Sequence, residues 1–207
     1  MKSLKILAVL VSYVTVALGI FWAHSAWAAQ LAFHFWILTV LLIARFPIPI
    51  RSLFNLGHNW PLLIGCAALA GSSGALLFLF WPMLGNTAKL IGYLSALRLT
   101  SIALPAYMIY FVLVNPWVEE YFWRGFLGSA SKGITVTDLC FAGYHFLTLF
   151  TTIGSIWLIP ILISLTLASW LWRQASRRSG GLLIASISHV FADLSVMVCV
   201  YLLVQGA

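Results

Sequence analysis

The sequence predicts an all-α fold, a polytopic bundle of about seven transmembrane helices. Three observations lead there. Hydrophobic residues make up 63% of the 207 residues and charged residues only 7%, whereas an ordinary soluble domain is roughly a quarter charged. Mean hydropathy is +1.05, so the chain needs lipid as its solvent. The apolar residues also form long continuous runs rather than the alternating pattern of a membrane barrel. Lipid offers the backbone no partners, and continuous runs of this kind satisfy it only as helices.

A span needs about 20 mostly apolar residues at 1.5 Å per residue. Runs that meet this need cover about 6–23, 31–48, 60–81, 101–120, 136–153, 155–172 and 181–204. The first follows Lys2 and Lys5 and precedes an Ala26-Trp27-Ala28 motif. Its apolar core exceeds the ~7–15 residues of a signal peptide, so it is read as an uncleaved first helix. In the third run, the Ala70–Ala75 stretch AGSSGA offers small residues that let two helices approach closely. The connection 82–100 is read as a short helix lying in the membrane interface. Trp22, Trp27, Trp60, Trp81 and Trp117 fall near the ends of runs, as an aromatic belt requires.

The net charge of +7 forms no basic stripe, which argues against a nucleic-acid partner and leaves the bilayer as the partner of those charges. With the N-terminus cytoplasmic, Lys2, Lys5, Arg45, Arg51, Arg124, Lys132, Arg173, Arg177 and Arg178 fall inside. Lys89 and Arg98 fall outside, a clear positive-inside bias. Arg173, Arg177 and Arg178 are read as topology determinants or contacts to anionic lipid. Cys66, Cys140 and Cys199 all lie in apolar runs and have no metal or redox spacing, so they read as buried thiols.

Ionisable groups inside spans are costly and mark function by default. Three stretches qualify: Glu119-Glu120 with Arg124, FAGYH from Phe141 to His145, and HVFAD from His189 to Asp193. His145 lies eight residues inward from Thr137, and His189 eight inward from Gly181. Each is therefore about 12 Å along its helix from the inner end. The glutamates, just above Arg124 and Lys132, approach the same layer, so the site is expected toward the cytoplasmic side. Glu120 and Arg124 are four apart and suited to an ion pair; His189 and Asp193, also four apart, share a face. Glu119 points about 100° away from Glu120 and meets a different neighbour. Pro116 is expected to kink or restart the helix just before the pair.

A carboxylate and a neutral histidine can take a proton from water, and a second histidine can stabilise an oxyanion. Glu119, His145 and His189 could equally ligate zinc. Asp138 is read as the cap of the fifth helix. His34 is read as a packing histidine bonded to a carbonyl, and His24 and His58 as interfacial. Thr148, Thr151, Thr152 and Ser186 either line a cavity or bond between helices.

In this order, EEYFWR as EExxxR, FAGYH as FxxxH and HVFAD as Hxxx(N/D) resemble the CPBP intramembrane protease family, which includes the CAAX prenyl endopeptidases. The resemblance implies a four-helix catalytic core over 101–207, with residues 1–100 supplying the N-terminal helices and the interfacial connection. It implies a glutamate-dependent endopeptidase of a bacterial inner membrane, acting on a membrane-anchored or lipidated protein or peptide. Glu119 would activate water with His145, and His189 and Asp193 would hold the oxyanion. Glu120, Arg124 and Phe141 would orient them. The resemblance implies no cofactor, with zinc the alternative. One branch of compact bacterial relatives is associated with removal of C-terminal sorting signals.

Asp193 departs from the asparagine of better-known members, and an ionised aspartate cannot donate to an oxyanion. It is protonated, or orients His189, or marks metal use. Two other functions compete with proteolysis. A non-enzymatic scaffold or immunity-type partner would keep its phenotype when Glu119 and the histidines are changed. An ion-coupled carrier could use the same polar groups, but the chain has no repeated half.

Overall fold

A computed structural model describes residues 2–47, 50–57 and 59–206; His58 lies outside them. The runs become helices where expected. These are α1 (Lys2–Ala17), extended by a π-helical turn at Leu18–Trp22, then α2 (Ala26–Ile43), the one-turn α3 (Ile50–Leu53), α4 (Trp60–Leu84) and α5 (Thr87–Ala96). They continue with α6 (Ala103–Glu120), a second π-helical turn at Tyr121–Phe126, α7 (Val136–Leu149), α8 (Ser155–Ser179) and α9 (Leu183–Gln205). No β-strand occurs among the described residues. The interfacial connection contains α5, capped by Asn86, whose side chain accepts from the Lys89 N–H at 3.0 Å.

Among the described residues, five helices are long and apolar enough to cross a bilayer: α1 with its π turn, α2, α4, α8 and α9. The other two expected segments, α6 and α7, carry the two adjacent glutamates and His145. At 14 residues, α7 spans about 21 Å, less than the ~30 Å of a hydrocarbon core. Large apolar side chains such as Phe35, Leu42 and Ile156 face outward, while Glu119, Glu120, Asn115, Arg124, Asp138 and Arg173 are buried. That inversion of an ordinary soluble protein suits a lipid surround.

Close approaches set the packing. A Cβ on Gly19 would lie 2.2 Å from the Ala29 backbone, and one on Gly74 would lie 1.9 Å from the Ser195 carbonyl oxygen. The first seats the α1 end against α2. The second is the small-residue face of α4 against α9, joined by a 3.1 Å bond from the Gly74 N–H to Ser195 Oγ. Gly180, at φ +69°, ends α8 in the left-handed conformation.

The loops expected on the inner side gather at one end. Lys5 Nζ lies 5.3 Å from the Phe126 ring centre, the Tyr121 hydroxyl bonds the Pro47 carbonyl, and the Leu182 N–H bonds the Ser52 carbonyl at 2.7 Å. The Gly154 N–H reaches Leu84 O at 2.8 Å, closing the other end beside α5.

Several expectations change. Helix α6 runs through Pro116 without interruption; the departure from α geometry comes after the glutamates, in the π turn that begins at Tyr121. Turns of this kind are rare and frequent at functional sites. Arg173 is 2% exposed and is an internal clamp rather than a lipid contact. Its guanidinium bonds both Asp138 oxygens, at 3.1 and 2.7 Å, and the carbonyls of Ser129, Ser131 and Gly133. Arg124 is likewise buried. Trp81 is buried at 6% and donates to Thr87 Oγ1 at 2.9 Å, so it belongs to the core instead of the belt.

Candidate active site

The four acidic residues of the chain are all engaged in the interior. Asp138 begins α7: its Oδ2 accepts from the Thr135 N–H at 2.8 Å, the reciprocal bond of a capping box. The other three form one cluster with the histidines, assembled from α6, α7 and α9.

Glu119 and Glu120, at 2% and 0% exposure, diverge as adjacent helical residues must. Glu120 Oε1 accepts from Arg124 Nη1 at 2.8 Å and meets His189 Nδ1 at 2.9 Å. Glu119 Oε1 accepts from the Tyr144 hydroxyl at 2.5 Å, while its Oε2 is buried with no hydrogen bond to the protein. Arg124 has its Nε and Nη2 buried without acceptors. The guanidinium carbon instead lies 4.2 Å from the Phe141 ring centre and 5.1 Å from that of Trp172, where ring faces attract the cation.

Phe141 is the aromatic hub. Its ring meets those of Trp123, Tyr144, Trp172 and His189 edge-on at about 6 Å, and that of His145 at 5.0 Å. Trp172 stacks on the His189 ring at 4.5 Å, fixing its plane.

His145 Nδ1 meets the Phe141 carbonyl at 2.8 Å. A carbonyl only accepts, so Nδ1 carries the hydrogen and Nε2 keeps its lone pair. His145 is therefore not hydrogen-bonded to Glu119. Tyr144 stands between them, bonded to Glu119 and with its ring 4.1 Å from that of His145. His189 has carboxylates on both sides: Glu120 at Nδ1, and Asp193 Oδ1 at 3.5 Å from Nε2. Asp193 Oδ2 accepts from Asn115 Nδ2 at 3.2 Å. Asp193 thus accepts from Asn115 at one oxygen and faces His189 with the other.

The zinc alternative does not fit this arrangement. Among the described residues, no three of His, Cys, Asp and Glu gather as a metal requires. Both His189 nitrogens are turned to carboxylates, and Glu119 Oε1 is held by Tyr144.

Tyr144, Asn115 and Trp172 were not legible as site residues. Tyr144 directly precedes His145, and Asn115 lies one turn before Glu119, which were the available signals. The N-terminal half also reaches the site. His34 bonds the side chains of Gln30 and Tyr110, at 2.8 Å each, rather than a backbone carbonyl. Thr148 and Thr152 turn their hydroxyls to carbonyls of their own chain segment, His145 and Leu149.

Residues 101–195 match the family model described as type II CAAX prenyl endopeptidase Rce1-like. Over this segment the chain is similar to the CPBP/CAAX protease family. The match spans α6, α7 and α8 and runs into α9 as far as Ser195, which takes in all three motifs. No curated protein and no solved structure matches the chain. That similarity, together with the long apolar helices, supports an integral membrane protein of the CAAX peptidase type, whose members act on membrane-associated peptides or proteins.

Proposed function

We propose that the chain is a glutamate-dependent intramembrane endopeptidase in which Glu119 and His145 activate water. The observation that carries this reading is the division of labour between the two adjacent glutamates. Both keep Oε2 buried with no hydrogen bond to the protein, but Glu120 Oε1 is held by the Arg124 guanidinium and His189, whereas Glu119 Oε1 has only the neutral Tyr144 hydroxyl.

Water between Glu119 Oε2 and the scissile carbonyl loses a proton to this pair, with the His145 Nε2 lone pair as the second acceptor. Its oxygen attacks the carbonyl carbon. The resulting oxyanion is met by the His189 N–H, whose long 3.5 Å approach to Asp193 is weak enough to be exchanged. Collapse breaks the C–N bond, and the abstracted proton passes to the departing amine. Glu120, Arg124, Phe141 and Trp172 hold His189 and the local helix in place. Asp193 orients His189.

The substrate is a membrane-anchored or lipidated protein or peptide, cut in the cell (inner) membrane of a bacterium. The N-terminus is cytoplasmic and the site faces that side, since the loops rich in Lys and Arg lie at one end.

The test compares C-terminal peptides of membrane proteins from cells making wild-type protein or Glu119→Gln. New C-termini present only with the wild type are expected. Equal sets of termini at equal protein abundance would refute the proposal and favour a non-enzymatic scaffold.

A further inference from the structure

We propose that Asn115 is a positioning residue and that helix α2, through Gln30, belongs to the working site; this rests on the proteolytic reading above. Asn115 is 1% exposed and stands one turn before Glu119, between α2 and α9. Its Nδ2 donates to Asp193 Oδ2 at 3.2 Å, and its Oδ1 accepts from Gln30 Nε2 at 2.7 Å.

The Gln30 amide sets the polarity of this network, and the shorter of the two His34 Nε2 contacts assigns the imidazole hydrogen. Gln30 Nε2 has two hydrogens, and its two near neighbours are Asn115 Oδ1 and His34 Nε2, the latter at 2.8 Å. His34 therefore accepts at Nε2, carries its hydrogen on Nδ1 and gives it to the Tyr110 hydroxyl at 2.8 Å. The 3.1 Å approach of His34 Nε2 to Asn115 Oδ1 is then a contact between two acceptors. The Tyr107 hydroxyl donates to Gln30 Oε1 at 3.4 Å.

The consequence is directional. Gln30 donates to the Asn115 oxygen, so the Asn115 nitrogen must face Asp193. That donor draws Asp193 Oδ2 away and leaves Oδ1 turned to His189 Nε2. A run of side chains thus connects α2 to the ring that meets the oxyanion. Without it, Asp193 could swing to a shorter bond with His189 and take the N–H that the reaction needs.

The test is a cycle of Asn115→Asp, Asp193→Asn and the double exchange, with Gln30→Leu alongside. Each is read by the rate at which wild-type-dependent C-termini accumulate in membranes, and by its thermal midpoint in detergent micelles. Asn115→Asp sets two carboxylates against each other and should slow accumulation about tenfold or more, since small misplacements are costly in a site. In the Asp193→Asn background the pair is restored with reversed polarity. The carboxylate introduced at position 115 then accepts both from Gln30 and from the amide introduced at position 193. There the same change should cost less than about twofold. Gln30→Leu, remote from the reacting atoms, should also slow accumulation about tenfold.

Full activity of Gln30→Leu overturns the proposal. So does an Asn115→Asp penalty that is equal in both backgrounds. Coupling in midpoint without coupling in rate would show a structural bond only and also overturns it. No termini from the wild type itself would sink the proteolytic reading and this role together, whereas an active wild type with an indifferent Asn115→Asp would sink this role alone.

Discussion

Arg173 offers the most quantitative perturbation outside the reaction centre. It is 2% exposed, as is its partner Asp138, and its guanidinium bonds two carboxylate oxygens and three carbonyls. Arg173→Leu removes the cation and leaves the Asp138 carboxylate with Thr135 and Ser169 as its remaining donors. Breaking one side of a buried ion pair costs about 3–5 kcal/mol. Arg173→Lys keeps the charge, but three hydrogens cannot serve five acceptors. Losing two bonds at roughly 0.5–1.5 kcal/mol each gives about 1–3 kcal/mol. For a chain of this size each kcal/mol moves the thermal midpoint by roughly 2–4 °C. The leucine variant should therefore unfold about 6–20 °C lower and the lysine variant about 2–12 °C lower. Thermal unfolding in micelles can be followed with a thiol-reactive dye, because Cys199 is buried and all three thiols are free. Protease susceptibility of 128–135 should rise in the same order. A leucine variant within about 1 °C of wild type, with the loop still protected, would show that the clamp contributes nothing net, as surface ion pairs often do not.

Other perturbations probe the site and the packing. Tyr144→Phe removes the donor to Glu119 Oε1. A bond to a charged group is worth about 1.5–3 kcal/mol, so cleavage should fall roughly 10–100-fold with the protein still folded, measured as accumulation of new C-termini. Gly74→Ala drives a Cβ into the Ser195 backbone, whereas a Cβ on Gly71 first meets the Phe191 ring at 3.7 Å, an ordinary contact. Gly74→Ala should cost about 1–3 kcal/mol and Gly71→Ala almost nothing, compared by thermal midpoint. Trp172→Ala uncovers His189 and one face of Arg124. It should reduce cleavage far more than Trp172→Phe at similar abundance, measured in the same assay.

The order of residues alone dictates the class of fold and the approximate helices, because lipid forces the backbone into helices wherever a long apolar run occurs. It also dictates the split between the two glutamates, since a 100° step in a helix obliges neighbours to face apart. The i,i+4 pair of Glu120 with Arg124 was legible for the same reason. These are all short-range consequences of one geometry. What spans the gap between helices depends instead on how the helices pack. Tyr144 as the hydrogen-bond donor to Glu119, Arg173 as a clamp on Asp138, and Gln30 with His34 behind Asn115 all follow from which faces meet and at what rotation. A hydrogen bond is made or lost over a few tenths of an ångström, and the period of a helix fixes the side of a residue but not its opposite number. The π turn after Glu120 belongs to the same class: it begins at Tyr121, five residues beyond Pro116, and its side chains Tyr121, Phe122, Trp123, Arg124 and Phe126 are buried.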